Sequence, residues 1–388
     1  DVVPSSMTLG AMPAGCTATG QQVSCTATQS LAIDASIGFT IPVTPTAAAS
    51  PSVSNTASVM GGGDPTCPTT ANCSASTSTP VDAPSLTLVK TDNGPWVIAQ
   101  SNATYTLTVN NASATVATVG IITVQDSMPA GITAATGTYG NWACTVVGGQ
   151  DVSCTSASAI AASANSAIVL PVSVEAGAIT SGTSATVTNH ASAAGGGDPY
   201  NGGTPPAPGA SCTDANHCAS KDTSVNTAAT LITAKALASV NGQAVPAGYQ
   251  AQPGDVLGYQ ITVSNSGGTA GTTTLTETVP AGTAYTGTSE GWSTTPAACA
   301  AAASTCTQEV TAGANASQVV SFTVTVQAPL VQSAISNAVA SSVVGSCAAG
   351  CSVSVPAAVV DVQAVITQMP AAPLVIGQPI TILGVCTN

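Results

Sequence analysis

QSNATYTLTVNN (residues 100–111) reads as a β-strand, because Tyr105, Leu107 and Val109 alternate with polar residues and give one apolar face. GDVLGYQITVSN (254–265) repeats the pattern with Tyr259, Ile261 and Val263. GQPITILGVCTN (377–388) repeats it again with Ile382, Gly384 and Cys386. The first two segments follow a lysine-bearing strand, LTLVKT (86–91) and LITAK (231–235), and open a full domain. The third lies at the end of the chain, so residues 361–388 are expected to be two strands with no sheet of their own.

The beginning of the chain complements its end. DVVP (1–4) matches DSMP (126–129) and ETVP (277–280), which fall in the middle of the two full domains. Residues 1–82 are therefore expected to form an incomplete domain. A half sheet exposes an apolar face and unpaired edge groups. The expected remedy is complementation in trans, with the tail of one molecule adding strands to the head of the next. Such a contact joins unlike surfaces and propagates into a filament unless it closes into a ring. The donor positions are Val362, Val365, Leu374, Ile376, Ile380, Ile382 and Cys386. Tail plus head still lacks a counterpart of the strand at 119–125.

The chain reads as four segments: an acceptor half domain (1–82), two complete domains (83–227 and 228–357) and the donor strands (358–388). Each domain carries a cysteine hairpin, then two strands: 36–44 and 52–59 in the head, 166–174 and 184–192, and 321–326 and 333–341. GGGDP recurs at 61–65 and 195–199. Short β-rich segments separated by turn signals, without a convincing amphipathic helix, indicate an all-β array of tandem Ig-like antiparallel sandwiches.

Lysine and arginine total 3 against 16 acidic residues, a net charge of −13 over 388 residues. That balance excludes nucleic acid as a partner and disfavours docking on anionic membranes. Charged residues make up only 5% of the chain, which leaves trypsin-like proteases few sites and suits a protease-rich exterior. No signal peptide or membrane span is evident; prolines and polar residues interrupt the apolar tail.

Twelve of the 13 cysteines fall into close pairs: Cys16/Cys25, Cys67/Cys73, Cys144/Cys154, Cys212/Cys218, Cys299/Cys306 and Cys347/Cys351. Repeated short spacing reads as local disulfides made in an oxidising compartment. Around His217 and Asp214 a metal site competes with that reading, but the matching loops at 67–73 and 347–351 keep the cysteines and lose the other ligands. Cys386, the odd cysteine, aligns with Val109 and Val263 and reads as a buried thiol, with an intersubunit disulfide as the alternative.

The lysine strand, PGDxxxYxITVxN (253–265), the acidic-xxPAG step (126–131 and 277–282) and a last strand with N-x-A resemble the prokaryotic surface-protein repeat known as domain of unknown function eleven. The resemblance covers nearly the whole chain as two full and two half copies. It implies an Ig-like fold in secreted or surface-displayed stalks and adhesins, with no enzymatic activity and no cofactor.

Two of the three lysines occupy matched places, Lys90 and Lys235. Each shares its domain with an acid before the mid-domain proline, Asp126 or Glu277, and with an asparagine on a late strand, Asn189 or Asn337. A lysine, an asparagine and a buried carboxylic acid are the requirements of an intramolecular isopeptide bond. Ordinary ion pairs or surface lysines are the simpler reading. The tail has Ile366 or Thr367 at the lysine's place, so the joint between subunits would not be sealed this way.

His190 and His217 lie near no nucleophile in sequence, and Asp64 and Asp198 of the GGGDP turns are too solitary for calcium. Sequons at Asn72, Asn102, Asn111 and Asn315 make glycans candidate partners in a glycosylating host. Trp96, Trp142 and Trp292 read as core or hairpin packing. The expectation is a structural, pilus-like subunit of an extracellular or cell-surface filament that polymerises with itself; the alternative is a segment of a long non-enzymatic adhesin or stalk.

Overall fold

A computed structural model describes residues 1–287, 291–293, 299, 302–347, 350–358, 363–368, 376, 379, 381 and 383–387. Strands and four short 3-10 turns are the regular elements among them; no α-helix is present. No helix is long and apolar enough to cross a membrane. The fold is all-β, built from Ig-like sandwiches of antiparallel strands, in two compact units, Asp1–Asn226 and Thr227–Asn388.

The first unit opens with six strands: β1 (Met7–Leu9), β2 (Cys16–Thr19), β3 (Gln22–Cys25), β4 (Val43–Pro45), β5 (Ser52–Ser58) and β6 (Ser74–Pro80). They pair only as three two-stranded ladders, β1–β4, β2–β3 and β5–β6. A full sandwich follows from β7 (Leu86–Asp92), β8 (Trp96–Val97), β9 (Thr104–Asn111), β10 (Ile122–Ser127), β11 (Ile132–Ala134), β12 (Gly137–Tyr139), β13 (Trp142–Val147), β14 (Asp151–Ser156), β15 (Asn165–Val174), β16 (Ser184–Gly195) and β17 (Cys218–Asn226). One sheet runs β11-β15-β9-β7 and the other β12-β13-β14-β10-β16-β17-β8.

Alternation explains the packing. Along β9, Tyr105, Leu107, Val109 and Asn111 point inward and the threonines between them stay half-exposed. Ile122 and Val124 of β10 face them from the other sheet, and Trp96 and Trp142 are wholly buried in the same core. Each aliphatic side chain taken fully out of water contributes about 1.5–3 kcal/mol. Gly131 ends the PAG step with φ +76°, and a β-carbon there would collide with the backbone of Ala178. The predicted strand at 119–125 begins only at Ile122: Gly120 takes φ +83°, and Val119 and Ile121 turn outward.

The second unit repeats the plan with β18 (Leu231–Val240), β19 (Val256–Asn265), β20 (Gly271–Thr278), β21 (Thr283–Tyr285), β22 (Thr305–Ala312), β23 (Ser317–Val326), β24 (Ala334–Ser341) and β25 (Ser352–Pro356). Its sheets are β18-β19-β23-β21 and β22-β20-β24-β25. They match β7-β9-β15-β11 and β14-β10-β16-β17 in order. The unit ends with a hairpin of β26 (Gln363–Gln368) and β27 (Leu383–Thr387).

The six head strands match a subset of the full sandwich. β1 and the end of the predicted strand at 36–44 correspond to β11 and the end of β15; β2 and β3 to β13 and β14; β5 and β6 to β16 and β17. The expected strand at 36–44 does not form over its length, and only Val43–Pro45 pairs, with β1. The reason is visible in β15, where Asn165 to Pro171 pair with β9 and Val172 to Val174 with β11. Among the described residues of the head, no counterpart of β9 is present to pair with the first part.

Candidate functional site

Two polar clusters sit inside otherwise apolar cores. In the first unit, Leu86, Leu88 and Lys90 alternate on the inward face of β7, which carries the lysine into the sandwich. Asp126 reaches it from β10 in the opposite sheet, and Nζ of Lys90 touches Oδ2 of Asp126 with both side chains wholly out of solvent. Asn189, also fully buried, lies on β16, two residues along the inward face from Ala191, the cross-strand partner of Asp126. Its Nδ2 donates to Sδ of Met128 at 3.4 Å, and its amide helps to hold the Asp126 carboxyl down against the rise that burial causes. The ring of Tyr105 lies 4.4 Å from Nζ of Lys90.

The second unit rebuilds the cluster in the same register. Lys235 of β18 touches Oε1 of Glu277 on β20, again with both side chains wholly buried. Glu277 pairs with Val339, and Asn337 stands two residues along β24, fully buried. Neither Nδ2 nor Oδ1 of Asn337 has a hydrogen-bond partner among the described residues, and Oε2 of Glu277 has none either. In the first cluster, Oδ1 of Asp126 and Oδ1 of Asn189 are similarly unpartnered. The surface placement considered for Lys90 and Lys235 is therefore wrong; only Lys221 behaves as a surface lysine, half-exposed and 3.8 Å from Asp92.

Desolvation dominates the electrostatics of both clusters. Burial lowers the Lys90 ammonium pKa, opposed by the charge of Asp126, and raises the Asp126 carboxyl, opposed by Lys90. The same causes bring Lys235 down to about 8 and Glu277 up to about 7. Burial also pushes Tyr105 up to about 12. Burial thus narrows the gap between amine and acid in each pair, to about 8 against about 7 at Lys235 and Glu277, without inverting their order.

The head repeats half of this arrangement. Asp1 takes the place of Asp126: its carbonyl accepts from Val23 N–H at 2.8 Å and its ammonium donates to the Val23 carbonyl at 3.0 Å, where Asp126 pairs with Val152. Asn55 takes the place of Asn189. Around them Val3, Met7, Ile41, Val43 and Val53 line a cavity of about 190 Å³. Val43 is 40% exposed and Phe39 38%, where their counterparts Val172 and Ile168 are 6% and 0% exposed.

In the tail, Ile366 pairs with Gly384, as Lys90 pairs with Leu107 and Lys235 with Ile261. The hairpin is thus in register with β7–β9 and β18–β19, and Ile366 rather than Thr367 stands in the lysine's place. Val365, Ile366, Leu383 and Val385 are exposed, as is Ile376. Cys386 lies in β27 opposite Ala364. Val362, Leu374, Ile380 and Ile382 fall outside the described residues.

The cysteines pair as Cys16–Cys25, Cys67–Cys73, Cys144–Cys154, Cys212–Cys218, Cys299–Cys306 and Cys347–Cys351. No group of three or more His, Cys, Asp and Glu is arranged to hold a metal among the described residues. Sequence reasoning missed the role of His217. Its Nδ1 is 2.8 Å from Asp214 and its Nε2 is 3.2 Å from Asp198, while Tyr200 stacks on its ring at 3.7 Å. Asp198 also accepts the Leu86 N–H at 2.5 Å and the Tyr200 N–H at 2.8 Å, so the second GGGDP turn fastens the first strand of the sandwich. Asp64 in the first GGGDP turn accepts from Thr66 instead.

One sequon is corrected. Asn111 is buried, its Nδ2 donating to the carbonyls of Val116 and Ile160, so it is no glycan acceptor; Asn72, Asn102 and Asn315 are exposed. Its counterpart Asn265 makes the same kind of network with Thr269, Ala312 and Gly313.

No family model and no curated protein matches the chain. Among solved structures, BspA_C_WT is similar at 11% identity and TM-score 0.33, covering 69% of this chain and 97% of its own. The C-terminal domain of the Streptococcus pyogenes antigen I/II-family protein AspA is similar at 10% identity and TM-score 0.27, covering 71% and 97%. BcpA*(D312A), the major pilin subunit of Bacillus cereus, is similar at 9% identity and TM-score 0.26, covering 79% and 70%. Likeness of this degree assigns no function.

Proposed function

We propose that the chain is a non-enzymatic structural protein of the cell exterior that polymerises head to tail into a filament, each tail hairpin completing the next molecule's head. The observation that carries this reading is the part-formed strand at 36–44. The first part of its counterpart in the full sandwich is held by β9, and in the head Phe39, at the place of the β9-paired Ile168, is left 38% exposed. A hairpin in the register of β7–β9, with Ile366 62% exposed at the place of the buried Lys90, would be the complementary piece. Main-chain pairing would supply affinity and the alternating side chains would supply register. Six local disulfides and a surface nearly without lysine or arginine suit an oxidising, protease-rich exterior.

The test is electron microscopy with size-exclusion chromatography on the intact chain and on a version ending near Ala358. Fibres from the first and monomers from the second support strand donation. Two monomers of equal compactness overturn it, and leave a segment of a longer surface array as the better reading.

A further inference from the structure

Lysine is the rarest charged resource of this chain, yet two of three are buried in sandwich cores, each against an acid and beside an asparagine. An ion pair alone does not account for the asparagines. A buried amide with both polar atoms unpartnered, as at Asn337, is a rare and costly feature in a folded protein. The repetition at the same register in both units makes the three residues a set: the lysine on the first strand, the acid on the strand facing it and the asparagine on the neighbour of that strand.

We propose that each set is a self-processing site, in which Lys90 condenses with Asn189 and Lys235 with Asn337 to form intramolecular isopeptide bonds. The neutral Nζ amine attacks Cγ of the asparagine while the protonated Asp126 or Glu277 donates to the carboxamide. The tetrahedral adduct loses ammonia: a new Nζ–Cγ bond replaces the Cγ–Nδ2 bond, and the proton shed by the amine travels through the carboxyl to the departing nitrogen. Amine plus carboxamide gives amide plus ammonia, so the step needs no oxidant, cofactor or external reagent. The apolar surroundings favour it, because burial brings the amine and the acid close in proton affinity, so that a proton passes readily from the ammonium to the carboxylate and leaves a nucleophilic amine beside an acid able to donate. The aromatic rings of Tyr105 and Tyr259, 4.4 and 5.0 Å from the two Nζ atoms, exclude water from the amines.

The inference is independent of polymerisation and is tested on the intact chain. Reduced, denatured protein is weighed by intact mass spectrometry and then digested with trypsin. The expected mass is short by two ammonia molecules, and trypsin cuts after Lys221 alone, since an acylated lysine is not a substrate. Asn189→Ala and Asn337→Ala each restore one ammonia and one cleavage site, and Glu277→Gln slows or abolishes closure of the second bond only. An unmodified wild-type mass with cleavage at all three lysines overturns the proposal, and that result requires no variant to fold.

Discussion

Asn55 donates its Nδ2 to Oδ2 of Asp1 at 2.9 Å, so the head holds an acid–amide pair at the place where the full sandwich holds Asp126 and Asn189. What the head lacks is a lysine, and the tail's register puts Ile366 in that position. Installing the missing amine tests both proposals together. Ile366→Lys is expected to join tail to head covalently through Asn55, giving a ladder of multimers on reducing, denaturing gels. Adding Asn55→Ala should erase the ladder; an Ile366→Lys chain that forms fibres but no ladder refutes the assigned register.

In the proposed assembly the donated hairpin would cover Phe39. Phe39→Asp places a charge where the donated strand would lie, and a charge buried without a partner is strongly disfavoured. The variant is expected to remain monomeric in size-exclusion chromatography while its thermal unfolding matches that of the tail-truncated chain.

A chain that cannot close its second bond should show an unusual pH profile. In Asn337→Ala, Glu277 and Lys235 both remain titratable. Glu277 rises from 4.5 to about 7 on folding, so the folded state holds its proton more tightly and stability is lost as pH rises from 4.5 through 7. Lys235 falls from 10.5 to about 8, so the folded state sheds its proton first and stability is regained between 8 and 10.5. Denaturant titrations across this range should show a minimum between 7 and 8. In the bonded wild type the upper limb should vanish, because an amide nitrogen does not titrate.

Asp198 is a structural hub, accepting from Leu86 and Tyr200 and contacting His217. Asp198→Ala leaves the Leu86 N–H without its partner, at a cost of about 1–3 kcal/mol. His217→Ala keeps that bond and should cost less. Chemical denaturation of the two variants should rank them in that order, with hydrogen exchange rising first at Leu86.

Much of the architecture was legible because strand alternation is a local signal: Tyr105, Leu107 and Val109 mark the same face that the sheets bury. Cysteine hairpins were legible for the same reason, their partners being a few residues apart. The lysine sets could be read because the chain has so few lysines that matched ones stand out. His217 could not be read, since Asp198 and Leu86 come near it only through folding. Asn111 and Asn265 marked the ends of aligned segments, but their networks reach carbonyls far along the chain. The strand at 36–44 was misjudged in extent because alternation records what a face can pack against, whereas pairing needs a neighbour.

The disulfides enclose between 4 and 10 residues of sequence separation each. A thread pulled from its two ends is shortened very little by such small loops, so sulfur guards local shape and barely limits extension. Lys90 and Asn189, by contrast, bracket about 100 residues, on the order of 300 Å of slack if the domain were drawn out. A fibre made this way would keep its length under tension only where lysine meets asparagine, and would part first at the seam where isoleucine takes lysine's place.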